Sequence, residues 1–217
     1  MIATKMQGIY KDRNRIYTEN LCKGKKVYNE KLVKARGKEF RSWVPYRSKL
    51  AAAILNGLDF SVEPDSKILY LGAATGTTVS HISDVVNDGV IYSVENSAIA
   101  IKGLIQLSEK RNNIIPILED ANHPDRYGSI MSNVDLIYQD ISQRNQAQIF
   151  ILNVERYLKK NKVGILMVKA RSIDVSLKPN KAYDIVCKEL GDNGLNIKDR
   201  IDLSPYEKDH AAIMVSI

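Results

Sequence analysis

From residue 67 onward, short apolar runs alternate with amphipathic stretches. Ile68-Leu69-Tyr70-Leu71, closed by Gly72, reads as a buried strand. A turn of small residues follows, bracketed by Gly72 and Gly76. Val79, Ile82 and Val86 then share one helical face, with Thr77 or Thr78 placed to cap that helix. The pattern repeats. A strand is expected over 89–95, then a helix capped by Ser97 with Ile101, Leu104 and Ile105 inward. A strand over 114–118 carries Pro116, which favours an edge position. Another covers 134–138 and ends at Gln139-Asp140. A helix over 145–159 uses Phe150, Val154 and Leu158. The strand over 163–168 ends at Lys169. The helix from Pro179 uses Ile185, Val186 and Leu190 and is stopped by Gly191. Residues 195–203 and 211–217 form a last strand pair. Near-continuous apolar strands separated by helices predict a mainly parallel, doubly wound α/β sheet.

The first 45 residues follow another rule. Gly8-Ile9-Tyr10, Arg15-Ile16-Tyr17-Thr18, Lys26-Val27-Tyr28 and Phe40-Arg41-Ser42-Trp43-Val44 are β-prone pieces between charged or glycine-containing turns. They predict a small antiparallel sheet whose Tyr10, Tyr17, Tyr28 and Trp43 mostly build its own core. Pro45 ends it, and Leu50, Ile54 and Leu58 mark a helix closed by Gly57, with Lys49 in the first turn. A cation there opposes the helix dipole, so Lys49 calls for another reason. Two units are expected: residues 1–45 as a small basic β-domain, and 46–217 as the α/β domain.

Charge sharpens this division. Of the 217 residues, positions 1–49 hold 14 Lys and Arg against 4 Asp and Glu. The other 168 hold 18 against 21, so the net charge of +7 arises at the N-terminal end. That asymmetry points to a polyanion lying there, with solvated lysines kept for solubility as the plain alternative. The chain has two cysteines, Cys22 and Cys187, too few for a disulfide framework or a zinc site. No apolar stretch is long enough to span a membrane, and the first residues lack a secretory apolar region. A cytoplasmic protein without a bound metal is expected.

Doubly wound sheets bind ligands at the carboxyl ends of their strands. Here those ends carry Gly72, Ala73, Thr77 and Thr78, then Glu95-Asn96, Asp120-Ala121, Asp140 with Gln143, and Lys169. Glu95 can hold both ribose hydroxyls, and Asp120 beside Ala121 suits an adenine amine and ring. The turn lacks Gly-x-Gly-x-x-Gly, so a dinucleotide is disfavoured, and no Lys-Ser/Thr follows Gly76, so it is not a phosphate loop. S-Adenosylmethionine, cationic and free of phosphate, fits better; an ordinary strand-to-helix turn is the alternative. Lys49, Asp140, Lys169 and His210 can converge beside such a ligand. A free lysine at pKa about 10.4 is too protonated to act as a base, and a neighbouring cation with partial burial would lower that value. Asp140 can orient the base, and His210 can hold a proton or position a lysine.

Leu69–Asp84, with Gly-Ala-Ala-Thr-Gly-Thr-Thr at its centre, resembles the cofactor motif of the fibrillarin family in its short archaeal form. The segments 114–121, 138–143, 168–174 and 205–211 resemble further fibrillarin segments in the same order, and the similarity covers about residues 30–217. The glycine/arginine-rich N-terminal tail of eukaryotic members is absent. The resemblance implies a class I S-adenosylmethionine-dependent methyltransferase fold with a seven-stranded sheet and a small N-terminal antiparallel β-domain. It implies 2′-O-methylation of rRNA and tRNA, with cofactor contacts at Thr77, Thr78, Glu95, Asn96, Asp120, Ala121 and 140–143. The catalytic tetrad of ribose 2′-O-methyltransferases carries over to Lys49, Asp140, Lys169 and His210, with Lys169 as base. Tyr70 stands where many class I enzymes have an acidic residue, and fibrillarins share that tyrosine. Asn96 replaces an aromatic residue often found there. The last tetrad position is Glu in other members of the broader class, which leaves the role of His210 open.

The resemblance also implies partners: a box C/D guide RNA, the substrate RNA, a Nop-domain scaffold protein and a kink-turn-binding ribosomal-type protein. The chain contains no recognisable RNA-reading module, which agrees with specificity delegated to a guide. Two other functions stay open at this point, a small-molecule O-methyltransferase and a non-catalytic structural subunit.

Overall fold

The computed structural model describes residues 1–217. Five short strands form the first sheet: β1 (Ile2–Ala3), β2 (Ile9–Asp12), β3 (Arg15–Glu19), β4 (Leu32–Ala35) and β5 (Lys38–Trp43), ordered β1-β2-β3-β5-β4. Every pairing is antiparallel. Lys26-Val27-Tyr28 is not a strand, contrary to expectation. The amides of Val27 and Tyr28 instead donate to the Glu30 carboxylate, which folds this stretch into a loop. Leu32–Ala35 takes the strand position, paired with β5 across the turn at Arg36-Gly37.

The second sheet has seven strands: β6 (Lys67–Leu71), β7 (Val90–Glu95), β8 (Ile114–Leu118), β9 (Val134–Gln139), β10 (Leu158–Lys169), β11 (Asn196–Asp202) and β12 (His210–Ser216). Their order is β11-β12-β10-β9-β6-β7-β8, and only β12 runs against the rest. This is a class I methyltransferase topology, and β8 with Pro116 lies at the edge as expected. The order reverses at β6 and β9, where the carboxyl ends of adjacent strands open a crevice.

The helices are α1 (Lys49–Leu55), α2 (Thr77–Val85), α3 (Ala100–Ser108), α4 (Gln146–Tyr157), the short α5 (Ala170–Ile173) and α6 (Pro179–Asp192). Three helical details differ from expectation. Ile105 and Ile185 are exposed, while Leu107 and Tyr183 are buried in their helices. Leu158 leaves the helical path and opens β10. Gly191 lies inside α6, and the chain turns at Asn193-Gly194, where Gly194 has φ +80°.

One apolar cluster joins Ile9, Ile16 and Trp43 of the first sheet to Leu50, Val79, Ile82 and Tyr70. The first sheet thus shares its core with one face of the large sheet. The other face is covered by α4 and α6 through Phe150, Val154, Val186 and Leu190. Polar groups lock the same junction. Arg41, fully buried, donates to Glu30 at 2.7 Å and to Asp84 at 2.8 Å. Asp84 also accepts from Arg111 at 2.7 Å, from Thr18 at 2.7 Å and from the amide of Leu21 at 3.0 Å. Burial works to raise the Glu30 carboxyl, but the Tyr28 amide and the Arg41 guanidinium outweigh it and hold the group below its usual range. Charges taken this far from water persist only because each is paired and hydrogen-bonded.

Candidate functional site

The crevice is built on two close backbone approaches. Gly72 follows β6 at φ +81°, and a Cβ there would lie 2.5 Å from the carbonyl oxygen of Asp140. The amide of Asp140 donates to Leu71 at 2.9 Å, so the ends of β6 and β9 stay joined beyond the last strand residue. Gly76, at φ +91°, starts α2 against Leu107, whose Cδ2 would be 2.5 Å from an added Cβ. Only glycine permits both turns without displacing a neighbour.

Gly72, Glu95, Asn96, Asp120, Ala121 and Gln143 line one cleft, together with Val94, Glu119 and Ile141. The Glu95 carboxylate accepts from the amides of Ala74 at 2.7 Å and Ser97 at 2.8 Å, which fixes its direction. Asp120 accepts from the amide of Asn122 at 2.9 Å and from its side chain at 2.8 Å. These donors hold the Asp120 carboxyl below its ordinary value. Gln143 accepts weakly from Asn122 at 3.4 Å, which ties the ends of β8 and β9 together. The cleft holds three carboxylates and no lysine or arginine. It suits a cationic, phosphate-free adenosine compound and disfavours a dinucleotide. Ala73 is buried at the turn, and Thr77 is half-buried at the start of α2. Thr78 is also buried, and its hydroxyl donates to Ser48 at 2.9 Å rather than to the cleft.

The predicted tetrad gathers in two pairs. Lys49 Nζ lies 2.6 Å from Asp140 Oδ1, both side chains 19% exposed. Lys169 and His210 stand opposite each other in the β10–β12 register. Directly opposed residues of an antiparallel ladder project to the same face. Asp140 directly follows β9 and Lys169 ends β10, and the two strands are neighbours in the sheet. His210 directs Nδ1 to the carbonyl of Lys208 at 2.7 Å, leaving Nε2 as the free ring nitrogen.

Three supporting residues carry little sequence signal. Ser48 caps α1, accepting from the Ala51 amide at 3.4 Å, from Trp43 Nε1 at 2.9 Å and from Thr78 at 2.9 Å. It thereby fixes the first turn of α1, and with it Lys49, against both sheets. Gln146, fully buried, accepts from the Lys169 amide at 3.1 Å and donates to its carbonyl at 3.4 Å. Asp209, at φ +59°, accepts from Arg171 at 2.7 Å and from the amide of Ala170 through its own carbonyl at 3.0 Å. This sets the loop that delivers His210. A serine before a helix is a legible signal for Ser48, whereas the role of Gln146 rests on its contact with the distant Lys169. Nothing comparable marks Asp209.

The family model described as Fibrillarin matches residues 2–217. A fibrillarin-like rRNA/tRNA 2′-O-methyltransferase of Methanothermobacter thermautotrophicus is 46% identical over 211 residues, covering 97% of this chain and 94% of the relative. A crystal structure of Aeropyrum pernix fibrillarin in complex with natively bound S-adenosyl-L-methionine superposes with a TM-score of 0.84 at 42% identity, covering 93% of this chain and 88% of that one. A fibrillarin/Nop5p complex gives a TM-score of 0.91 at 42% identity and covers 99% of both chains. The sheet order, the glycine turn and the near-complete match agree: the chain belongs to the fibrillarin family.

Proposed function

We propose that this chain transfers a methyl group from S-adenosylmethionine to the ribose 2′-hydroxyl of rRNA and tRNA nucleotides. Guide RNA of the box C/D type selects the nucleotide within a ribonucleoprotein. The observation that carries this reading is the pairing of Lys49 with Asp140 at the sheet reversal, with Lys169 and His210 opposed on the adjoining strands. The solved relatives supply the cofactor and the scaffold: one holds S-adenosyl-L-methionine and another is a complex with Nop5p.

The chain's residues divide the work. Glu95 takes the cofactor's ribose hydroxyls, Asp120 and Ala121 its adenine, and Gly72, Ala73, Thr77 and Thr78 the backbone-lined turn, with Asn96 and Gln143 at the rim. The cofactor supplies an electrophilic methyl on a sulfonium. Lys169 accepts the proton of the 2′-hydroxyl at Nζ as the hydroxyl oxygen bonds to the methyl carbon and the carbon–sulfur bond breaks. Sulfur leaves as a neutral thioether. Asp140 holds Lys49 at 2.6 Å and places negative potential beside the cationic reactant. His210 faces Lys169 and steers its amine. Residues 1–45 act as a basic module fixed to the 46–217 catalytic unit, and a Nop-domain protein and a kink-turn-binding ribosomal-type protein complete the particle.

Omission from a reconstituted particle tests this. With S-adenosylmethionine, guide RNA and both partner proteins, a single 2′-O-methyl group is expected at the guide-specified nucleotide, and none without guide. Turnover of a catechol-like acceptor without RNA would favour a small-molecule enzyme. Failure to bind S-adenosylmethionine in calorimetry would favour a structural subunit.

A further inference from the structure

A second concave site lies beside the cofactor turn, between the loop before β4 and helices α2 and α3. Its volume is about 480 Å³. Lys25, Lys26, Arg47, Lys110 and Arg111 line it, together with Thr75 and Thr77 of the glycine turn. Five cations and no carboxylate face this space. Arg111 is 2% exposed, and its Nη1 is taken by Asp84 at 2.7 Å. Its Nη2 has no hydrogen-bond partner in the protein. A buried guanidinium rarely leaves a donor unused, so the Arg111 charge is only partly answered within the protein.

We infer that this cleft holds backbone phosphates of the RNA strand that carries the target nucleotide. The inference rests on the methyltransferase reading. Concave shape, the Thr75 hydroxyl, and clustered lysines and arginines suit phosphate oxygens. Arg47 lies two residues before Lys49, so this part of the lining is within about 7 Å of the Lys49 backbone. The lining contains no carboxylate, unlike the acidic cofactor cleft, so a polyanion meets no like charge there. An acidic protein segment fits less well, because the lining offers few apolar side chains to anchor one.

The test is the full chain carrying Lys25→Ala, Lys26→Ala and Lys110→Ala together. These three side chains are exposed, which leaves the buried network intact. Fluorescence anisotropy reads binding of a single-stranded RNA of about 12 nucleotides against salt. The triple variant should bind about tenfold more weakly at low salt, with the slope of log K against log salt flattened by about 2. A control with Lys178→Ala, Lys181→Ala and Lys188→Ala on the α6 side should bind as the parent does. Equal weakening in both triples, or no weakening in the first, overturns the inference. So does competition by inorganic phosphate or by polyglutamate at matched charge, which assigns the cleft to a free anion or an acidic protein. A parallel loss of S-adenosylmethionine affinity overturns it too, since the cleft would then serve the cofactor's carboxylate. RNA binding is read without turnover. Intact binding with no methyl transfer by the parent protein would therefore count against the enzyme reading and not against the cleft.

Discussion

Replacing Gly72 by alanine separates backbone strain from collision at the centre of the site. An added Cβ lies 2.5 Å from the Asp140 carbonyl oxygen and 2.9 Å from Ile141 Cγ1. A carbon and an oxygen settle at about 3.3 Å, so the end of β9 must retreat by about 0.8 Å. The left-handed conformation itself costs an alanine about 1–2 kcal/mol. Overpacking adds about 1–3 kcal/mol. Gly37 supplies the control: it has φ +75°, and nothing lies within 4 Å of its Cβ position. Gly37→Ala should show the strain alone. Gly72→Ala should lose about 2–5 kcal/mol in urea unfolding, the two costs acting together. It also drags Asp140 away from Lys49, now 2.6 Å distant. Displacements of this size lower rates by about 100-fold, so single-turnover methyl transfer should fall by that order. If Gly72→Ala matches Gly37→Ala in both stability and rate, the close approach of β6 and β9 does not position the reacting groups.

The buried ion network gives a stability prediction: Arg41→Met leaves Glu30 and Asp84 without a main partner and should lower unfolding free energy by about 3–5 kcal/mol, read by urea titration. Ser48→Ala removes a helix cap and should cost about 1 kcal/mol while slowing transfer more than it weakens cofactor binding, a split visible in kinetics beside calorimetry. His81 is fully buried against Trp43, with Nδ1 2.8 Å from Thr18 and Nε2 2.7 Å from the Tyr28 hydroxyl. Burial, with Arg41 and Arg111 nearby, holds its pKa well below 6.5. The unfolded chain therefore binds the extra proton. Stability is complete above about 6.5 and declines below it by about 1.4 kcal/mol per pH unit until the folded value is reached. Urea midpoints at about pH 7.5 and 5.5 should diverge in the parent and converge in His81→Phe, and an unchanged divergence in the variant would count against this origin.

The large sheet is legible in the sequence because its strands are buried on both faces and read as continuous apolar runs. Ile68–Leu71 and Ile165–Val168 are examples. The small sheet is less legible. Lys26-Val27-Tyr28 has strand composition, but the Glu30 carboxylate captures its amides, and no periodicity announces that competition. Ile105 and Ile185 carry apolar side chains on helix faces that the sheet does not reach, so composition alone misplaces them. Most of the site residues could be read as a set because they lie at strand ends or begin a helix, where a doubly wound sheet gathers its ligands, and His210 joins them by opening the antiparallel β12 opposite Lys169. The supports Gln146 and Asp209 depend on partners in distant segments, Lys169 and Arg171, which local pattern does not reveal.

Lys169→Ala tests the central claim most directly. In the reconstituted particle, single-turnover transfer to the guide-specified ribose should be abolished, while S-adenosylmethionine binding by calorimetry and RNA binding by anisotropy stay at parent values. Transfer at the parent rate with Lys169 absent would contradict the proposed proton acceptor and the role given to the paired strand ends.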